Sequence, residues 1–255
     1  MDLRDIAREV AGIVAPRGRL VELDPSARIV FVGDVHGDLD AVERVFSNVV
    51  GSGDVVVFLG DVVDRGPASR QCLERVLRAK LERPEHVHLL MGNHEAWGVA
   101  RFRPADFWTS LAAEEADVLA HALLALPLAA RHSSTLLAVH AALPNVDSLA
   151  SIVTVEPGTP PWRDMTWGDW SEERRPVQVV LSRPLYGPDD FAARSGRLGI
   201  RVLVRSHQPD APTYLYQDRC LTLFTSSAYG GRRQVAVLAS SRQVRSARDL
   251  ELYEI

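Results

Sequence analysis

The sequence predicts a mixed α/β protein, with strand pairing largely parallel in the first half and antiparallel in the second. Two observations carry that reading. A unit of apolar strand, polar loop and amphipathic helix recurs along the first half of the chain, and helices returning between strands imply right-handed crossovers and parallel pairing. The tail instead alternates apolar and polar residues in short runs, Thr213 to Tyr216, Leu221 to Thr225, Gln234 to Ala239 and Leu250 to Ile255, as antiparallel strands and hairpins do. No linker-like stretch or solenoid repeat divides the 255 residues, so one domain over 1–255 is expected.

In chain order, Leu3, Ile6, Ala7, Val10, Ala11 and Val14 form a helical stripe that Pro16 and Gly18 end. Arg28 to Val32 reads as a strand leading into Gly33-Asp34-Val35-His36-Gly37-Asp38, and a helix follows from Leu39 to Val50, closed by Gly51 and Gly53. The strand Val55 to Leu59 runs into Gly60-Asp61-Val62-Val63-Asp64-Arg65-Gly66. Pro67 then stands where a first-turn proline belongs, opening a helix from Ala68 to Glu82. A third strand, His86 to Met91, leads into Gly92-Asn93-His94-Glu95. Ala105 to Leu126 is helical in two pieces, Ser134 to Val139 is a strand ending at His140, and Pro144 to Pro184 is irregular. A short helix over Asp189 to Gly199 precedes a strand, Arg201 to Arg205, that ends at Ser206-His207.

Composition excludes several classes of function. A formal charge of −4 without a long basic block argues against a nucleic-acid surface. No apolar run approaches the ~18–20 residues that cross a bilayer, and the charged start Met1-Asp2-Leu3-Arg4-Asp5 is not a signal peptide. Cys72 and Cys220 are far apart with no metal-type spacing, so two reduced, buried thiols in a cytoplasmic protein are expected.

Polar residues recur at the carboxyl ends of strands, where open α/β sheets bind ligands. Asp34 and His36, Asp61, Asn93 and His94, His140, and Arg205 with His207 each follow a strand. Any one of them alone would be a capping or turn residue. Together they place four of the eight histidines at strand ends, while His86, His88, His121 and His132 keep ordinary structural roles. Imidazole, carboxylate and amide oxygen suit manganese, iron or zinc better than a soft thiolate metal. There are more candidate ligands than one tetrahedral ion needs, which suggests two ions sharing a carboxylate, as in two-metal phosphatases. Such a pair polarises phosphoryl oxygens and brings a bridging water near neutral ionisation. Arg65 could clamp a phosphate bidentately. His94 is placed as a general acid for a leaving alkoxide, with Asp64 fixing its tautomer.

These residues resemble a known family. Gly33-Asp34-Val35-His36-Gly37, Gly60-Asp61-Val62-Val63-Asp64-Arg65-Gly66 and Gly92-Asn93-His94-Glu95 are similar, in order and separation, to the three signatures of the phosphoprotein phosphatases. Arg205-Ser206-His207-Gln208 resembles the family's Arg-x-His-Gln, and Leu223-Phe224-Thr225-Ser226-Ser227-Ala228-Tyr229 its Leu-Phe-Ser-Ala-Pro-Asn-Tyr, so the likeness spans about Val30 to Val237. The resemblance implies a calcineurin-like metallophosphoesterase fold, a central mixed β-sandwich flanked by helices, in a small prokaryotic-type member. It implies that Asp34, His36 and Asp61 bind one divalent ion and Asp61, Asn93, His140 and His207 the other, with manganese foremost and iron, zinc or magnesium as alternatives. His94 would donate the proton, oriented by Asp64. Arg65, a second arginine, Asn93 and Tyr229 would contact the substrate phosphate, and Asp169 in Trp167-Gly168-Asp169 would line the cleft.

The chain also departs from the pattern. His140-Ala141-Ala142-Leu143 stands where the family has His-Gly-Gly-Leu, and the second arginine falls in the irregular section, where Arg183 is preferred over Arg174 and Arg175. The expected activity is metal-dependent hydrolysis of phosphoserine and phosphothreonine proteins by direct attack of the bridging water. The alternatives are a symmetrical dinucleoside tetraphosphate hydrolase or broad phosphoesterase, and a phosphoprotein-binding module without catalysis.

Overall fold

A computed structural model describes residues 1–133, 135–173, 183–230 and 233–255. Its helices are α1 (Leu3–Val14), α2 (Leu39–Arg44), α3 (Ser69–Glu82), α4 (Asp106–Ser110), α5 (Ala113–Leu123), α6 (Pro160–Trp167) and α7 (Pro188–Leu198). The strands are β1 (Leu20–Leu23), β2 (Ile29–Val32), β3 (Val55–Phe58), β4 (Val87–Leu89), β5 (Ala129–His132), β6 (Leu136–Val139), β7 (Asp169–Trp170), β8 (Leu185–Tyr186), β9 (Val202–Arg205), β10 (Tyr214–Leu215), β11 (Cys220–Thr222), β12 (Gln234–Leu238) and β13 (Glu251–Glu254).

Two sheets form the sandwich that the resemblance implies. One has five strands in the order β13-β12-β2-β3-β4, the other six in the order β1-β5-β6-β9-β11-β10. Side chains alternate across a strand, and here both faces are covered, so the strands read as unbroken apolar runs. Ile29, Phe31, Val55 and Val57 point between the sheets, where they meet Leu136, Ala138, Val202 and Val204. Val30, Val32, Val56 and Phe58 point outward and join the core that includes Ile6 and Val10 of α1 and Leu73 and Leu77 of α3. A fully buried Val or Phe contributes about 1.5–3 kcal/mol, so these short strands are held mainly by their side chains.

The first half matches its expectation, with β2, β3 and β4 pairing in parallel. The second half corrects it. β12 runs antiparallel to β2 and to β13, but β6 and β9 pair in parallel, and so do β9 and β11. β11 has no solvated face, which removes the reason for antiparallel pairing that the alternation suggested. Strands β1 and β5, also parallel to each other, were not anticipated. Pro67 lies before the N-cap Ala68 rather than in the first turn of α3. Conversely, Pro160 and Pro161 occupy the first turn of α6, inside the stretch expected to be irregular. Ser134 of the expected strand, with Arg174 and Arg175, lies outside the described residues.

Far from the strand ends described below, Lys80 of α3 and His88 of β4 are both buried, at 3% and 6% exposed. Lys80 Nζ donates to the Pro84 carbonyl at 2.5 Å, and His88 Nε2 lies 3.1 Å from the Glu85 carbonyl. Burial, helped by the Lys80 charge, pushes the His88 pKa from 6.5 down to about 4. Between those values the unfolded chain binds a proton that the native state does not, so stability falls as pH falls through that window. The contribution is about 3 kcal/mol, from about 1.4 kcal/mol per pKa unit. Urea unfolding across that pH range should therefore show a flatter acid limb for His88→Gln than for the unaltered chain, and parallel limbs would refute the assignment.

Candidate active site

The polar strand ends of both sheets meet at one edge of the sandwich. Asp34 and His36 follow β2, Asp61 follows β3 and Asn93 and His94 follow β4, while from the second sheet His140 follows β6 and His207 follows β9. A parallel bridge between Asp34 and Phe224 joins the sheets at this edge. The Ser206 hydroxyl accepts from the Asp34 amide at 2.8 Å and donates to the Leu223 carbonyl at 2.5 Å, and Thr225 Oγ1 accepts from the Gly33 amide at 2.8 Å.

Asp61 Oδ2 is the common point. It lies 3.8 Å from His36 Nε2, 3.8 Å from His94 Nε2 and 3.4 Å from His140 Nε2. Asp34 Oδ2 is 3.5 Å from His36 Nε2, and Asp34 Oδ1 is 3.7 Å from His140 Nδ1. His140 Nε2 is also 3.1 Å from Asn93 Oδ1 and 3.1 Å from His207 Nδ1. None of Asp34, His36, Asp61, Asn93, His94, His140 and His207 is more than 4% exposed.

The outer edges of two rings are fixed by backbone carbonyls. His36 Nδ1 is 2.9 Å from the Val63 carbonyl, and His140 Nδ1 is 3.1 Å from the Leu59 carbonyl. A carbonyl only accepts, so each Nδ1 carries the hydrogen and each Nε2 faces the carboxylates, the arrangement in which histidines bind metals. The two convergent groups are His36, Asp61 and His94, and Asp61, His140 and His207, with ligand atoms within 4.8 Å of one another in each. Asp61 belongs to both.

This cluster demands positive charge, and the demand is the test of whether a metal fits. Burial works against the charged form of His36, yet the hydrogen bond and charge of Asp34, with Asp61, raise its pKa to about 9. His140 is raised for the same reason, burial again opposing, with Asp61 the main attraction. Burial alone would raise Asp61, but the His140 and His94 charges outweigh it and hold its pKa well below the usual carboxylate range. His207 is driven the other way, by burial and then by the His140 charge. Its Nε2 and Asp169 Oδ1, 3.4 Å apart, both lack a hydrogen-bond partner. Carboxylate oxygens, imidazole nitrogens and an amide oxygen converging in a buried, anion-rich cluster are a donor set for divalent cations.

Beside the cluster stands a second arrangement. His94 Nδ1 is 2.6 Å from Asp64 Oδ2, whose other oxygen accepts from the Phe107 amide at 2.7 Å. The Trp108 indole donates to the His94 carbonyl at 2.9 Å, so the start of α4 clamps both members of the pair. Arg65, Asn93, His94 and Arg183 line one cleft of about 580 Å³. Arg183 is 3.7 Å from Asp169 Oδ2, which brings together the two residues placed least firmly by sequence. Tyr229 is not in the lining of that cleft but borders it beside Arg65, 45% exposed and edge-on to His36 with ring centroids 5.6 Å apart. Burial raises its pKa against the opposing Arg65 charge, which keeps the phenol protonated.

Glu95 is the residue whose role the sequence did not reveal. Fully buried, it accepts from the amides of Asp61 at 2.7 Å and Gly92 at 3.0 Å through Oε2, and of Val62 at 2.9 Å through Oε1. The backbone it holds is unusual. His36, Asp61, Asp64, Arg65 and His207 all have positive φ, between 47° and 74°, a conformation that costs a non-glycine residue about 1–2 kcal/mol. Gly92 permits the approach, because a Cβ there would stand 2.2 Å from Asp61 Oδ1.

The fold and donor set are those of a dinuclear metallohydrolase. The chain belongs to the calcineurin-like phosphoesterase family, whose model matches residues 27–211, and whose members use a dinuclear metal centre. It is 24% identical over 91% of its length to serine/threonine-protein phosphatase PP1-delta of Caenorhabditis elegans, covering 80% of that protein. It is 26% identical over 87% of its length to human serine/threonine-protein phosphatase 5, but covers only 48% of that longer protein. A solved yeast (Saccharomyces cerevisiae) protein serine/threonine phosphatase, described as similar to human PP5, superposes with a TM-score of 0.80 at 20% identity, over 99% of this chain and 88% of that one. That superposition supports the fold.

Replacing Glu95 by Gln would turn one acceptor into an amide facing a backbone N–H. Leaving a buried donor unpaired costs about 1–3 kcal/mol, and a hydrogen bond to a charged group is worth a similar amount. Glu95→Gln should lower the urea unfolding free energy by about 3 kcal/mol, and a loss below about 1 kcal/mol would show that the loops are held otherwise.

Proposed function

We propose that this chain is a metal-dependent serine/threonine protein phosphatase that hydrolyses phosphate monoesters, folded as one domain over residues 1–255. The observation that carries the reading is the His94–Asp64 pair at 2.6 Å, set between a buried histidine–carboxylate cluster and Arg65. The serine/threonine phosphatases among its relatives support the substrate class.

In this reading Asp34, His36 and Asp61 hold one divalent ion, and Asp61, Asn93, His140 and His207 hold a second. Manganese is the preferred metal, and iron, zinc or magnesium is compatible with the same donors. Bound ions of this kind supply Lewis-acid polarisation of phosphoryl oxygens and a water nucleophile at neutral pH. The chain's own residues do the rest. Arg65 and Arg183 present planar guanidinium donors to the phosphate, which suits bidentate binding, and Asn93 and Tyr229 border the same oxygens. Hydrolysis joins the hydroxyl of water to phosphorus while the bond to the serine or threonine oxygen breaks. That leaving oxygen takes its proton from His94 Nε2, and Asp64 on Nδ1 keeps the ring oriented. The buried thiols of Cys72 and Cys220 accord with a reducing, cytoplasmic setting.

His94→Asn should lower kcat on phosphoserine and phosphothreonine peptides by about 10²–10⁴ while leaving metal content unchanged. The loss on p-nitrophenyl phosphate should be far smaller, since p-nitrophenolate leaves without a proton. Equal losses on both substrates would reject the proton-donor role. The reading as a whole is tested by comparing phosphopeptides with diadenosine tetraphosphate on the metal-reconstituted enzyme. Phosphopeptides should have the higher kcat/KM, and faster nucleotide turnover would overturn it.

A further inference from the structure

The cleft beside His94 carries a charge pattern that phosphate binding alone does not use. Arg101, Arg103 and Arg163 line it together with Arg65 and Arg183, and no aspartate or glutamate lies among the described residues of its lining. This occurs in a chain of formal charge −4. Several surface arginines elsewhere are matched, Arg44 by Asp40, Arg70 by Glu115, Arg78 by Glu74 and Arg131 by Glu22, all within 2.9 Å. Arg101 and Arg103 are exposed, and among the described residues neither has a carboxylate partner. The Arg101 guanidinium instead lies 4.6 Å above the Trp97 ring. Trp97 in turn stacks on Trp108 at 5.1 Å, so that cation stands on a rigid support.

Position gives these charges a direction. Phe102, between the two arginines, packs against the His94 ring at 4.4 Å. In the reading above, His94 faces the leaving oxygen, so the arginines flank the side from which the rest of the substrate extends. Guanidinium groups such as those of Arg101 and Arg103, lining a concave surface without a carboxylate partner among the described residues, raise the local concentration of anions and reward a second negative group on the ligand.

We propose that Arg101 and Arg103 form an anion subsite that selects phosphopeptides with acidic residues or a second phosphate next to the scissile phosphoester. This rests on the protein-phosphatase reading and adds its substrate class. Trp97 is a positioning residue for Arg101.

The test compares kcat/KM of the metal-reconstituted enzyme on phosphothreonine peptides of equal length whose flanks are acidic, amide or basic. Acidic flanks should be favoured over amide flanks by about tenfold, as expected of two partly screened ion pairs. The difference should lie in KM and shrink at high salt. The acidic-to-amide ratio should fall towards one in Arg101→Ala/Arg103→Ala. Arg101→Glu/Arg103→Glu should reverse the preference towards basic flanks, an outcome that also shows the variant is folded. Equal turnover of all flanks by the unaltered enzyme, or a ratio unmoved by both variants, overturns the subsite and leaves the phosphatase reading standing. Turnover of diadenosine tetraphosphate without turnover of any phosphopeptide overturns both.

Discussion

The site depends on one buried carboxylate that touches no substrate. Glu95 gathers the amides of Asp61, Val62 and Gly92, and so ties the loop after β3 to the loop after β4. The loop after β2 is then pinned to the same place, because the Val35 and His36 amides both donate to the Asp61 carbonyl. Burial raises the Glu95 pKa, the Asp61 charge adds to that, and the amides of Val62 and Asp61 oppose both. An unpaired buried carboxylate would be prohibitively costly. Three amide donors make it tolerable and, in return, tie two loops together directly and the loop after β2 through Asp61, in backbone conformations that they would not adopt alone.

Strain of this kind persists only where the surroundings over-determine it. Five polar site residues with positive φ together cost several kcal/mol, a large share of ordinary domain stability. The offset comes from the strands immediately before the loops. Ile29, Phe31, Val55, Val57 and Leu59 are nearly or completely buried between the sheets, and each strand end is thereby held to a narrow range of positions. The centre also straddles the two sheets, so Asp34 and His207 meet only once the sandwich has closed. Fold and site are therefore cooperative, and local unfolding of either sheet edge would scatter the ligand set.

How much of this was legible follows from what each signal measures. Strands β2, β3, β4, β6 and β9 were readable because continuous apolar runs end in residues that chemistry needs, and those endings gave the candidate ligands as well. Strand β5 was not, because Ala129-Ala130-Arg131-His132 has neither β-branched side chains nor alternation, and its pairing with β1 and β6 sets its conformation. Helix α6 was hidden by prolines that read equally well as breaks or as a first turn. Glu95 stood in plain view within Gly92-Asn93-His94-Glu95, but its partners are amides, and a residue that serves backbone leaves no complementary side chain to find. The arginines of the cleft were invisible for a related reason, since Arg101 and Arg163 become neighbours only through the fold.

The two halves of the site make opposite electrostatic demands across a short distance. Below, Asp34 and Asp61 raise the pKa of His36 and His140, a pull on positive charge that a divalent cation would satisfy instead. Above, the arginines around His94 favour anions. A phosphate monoester fits such a boundary because it is an anion whose oxygens can face cations on both sides. Under the proposed subsite, a substrate with a neutral flank would be held through its phosphate alone, a basic flank would be repelled by the rim, and an acidic flank would add attraction. Coulomb attraction in a partly desolvated cleft exceeds that on an open surface, and this is the physical ground for the proposed preference for acidic flanks. An acidic residue in that lining would neutralise the rim and leave recognition to the phosphate alone.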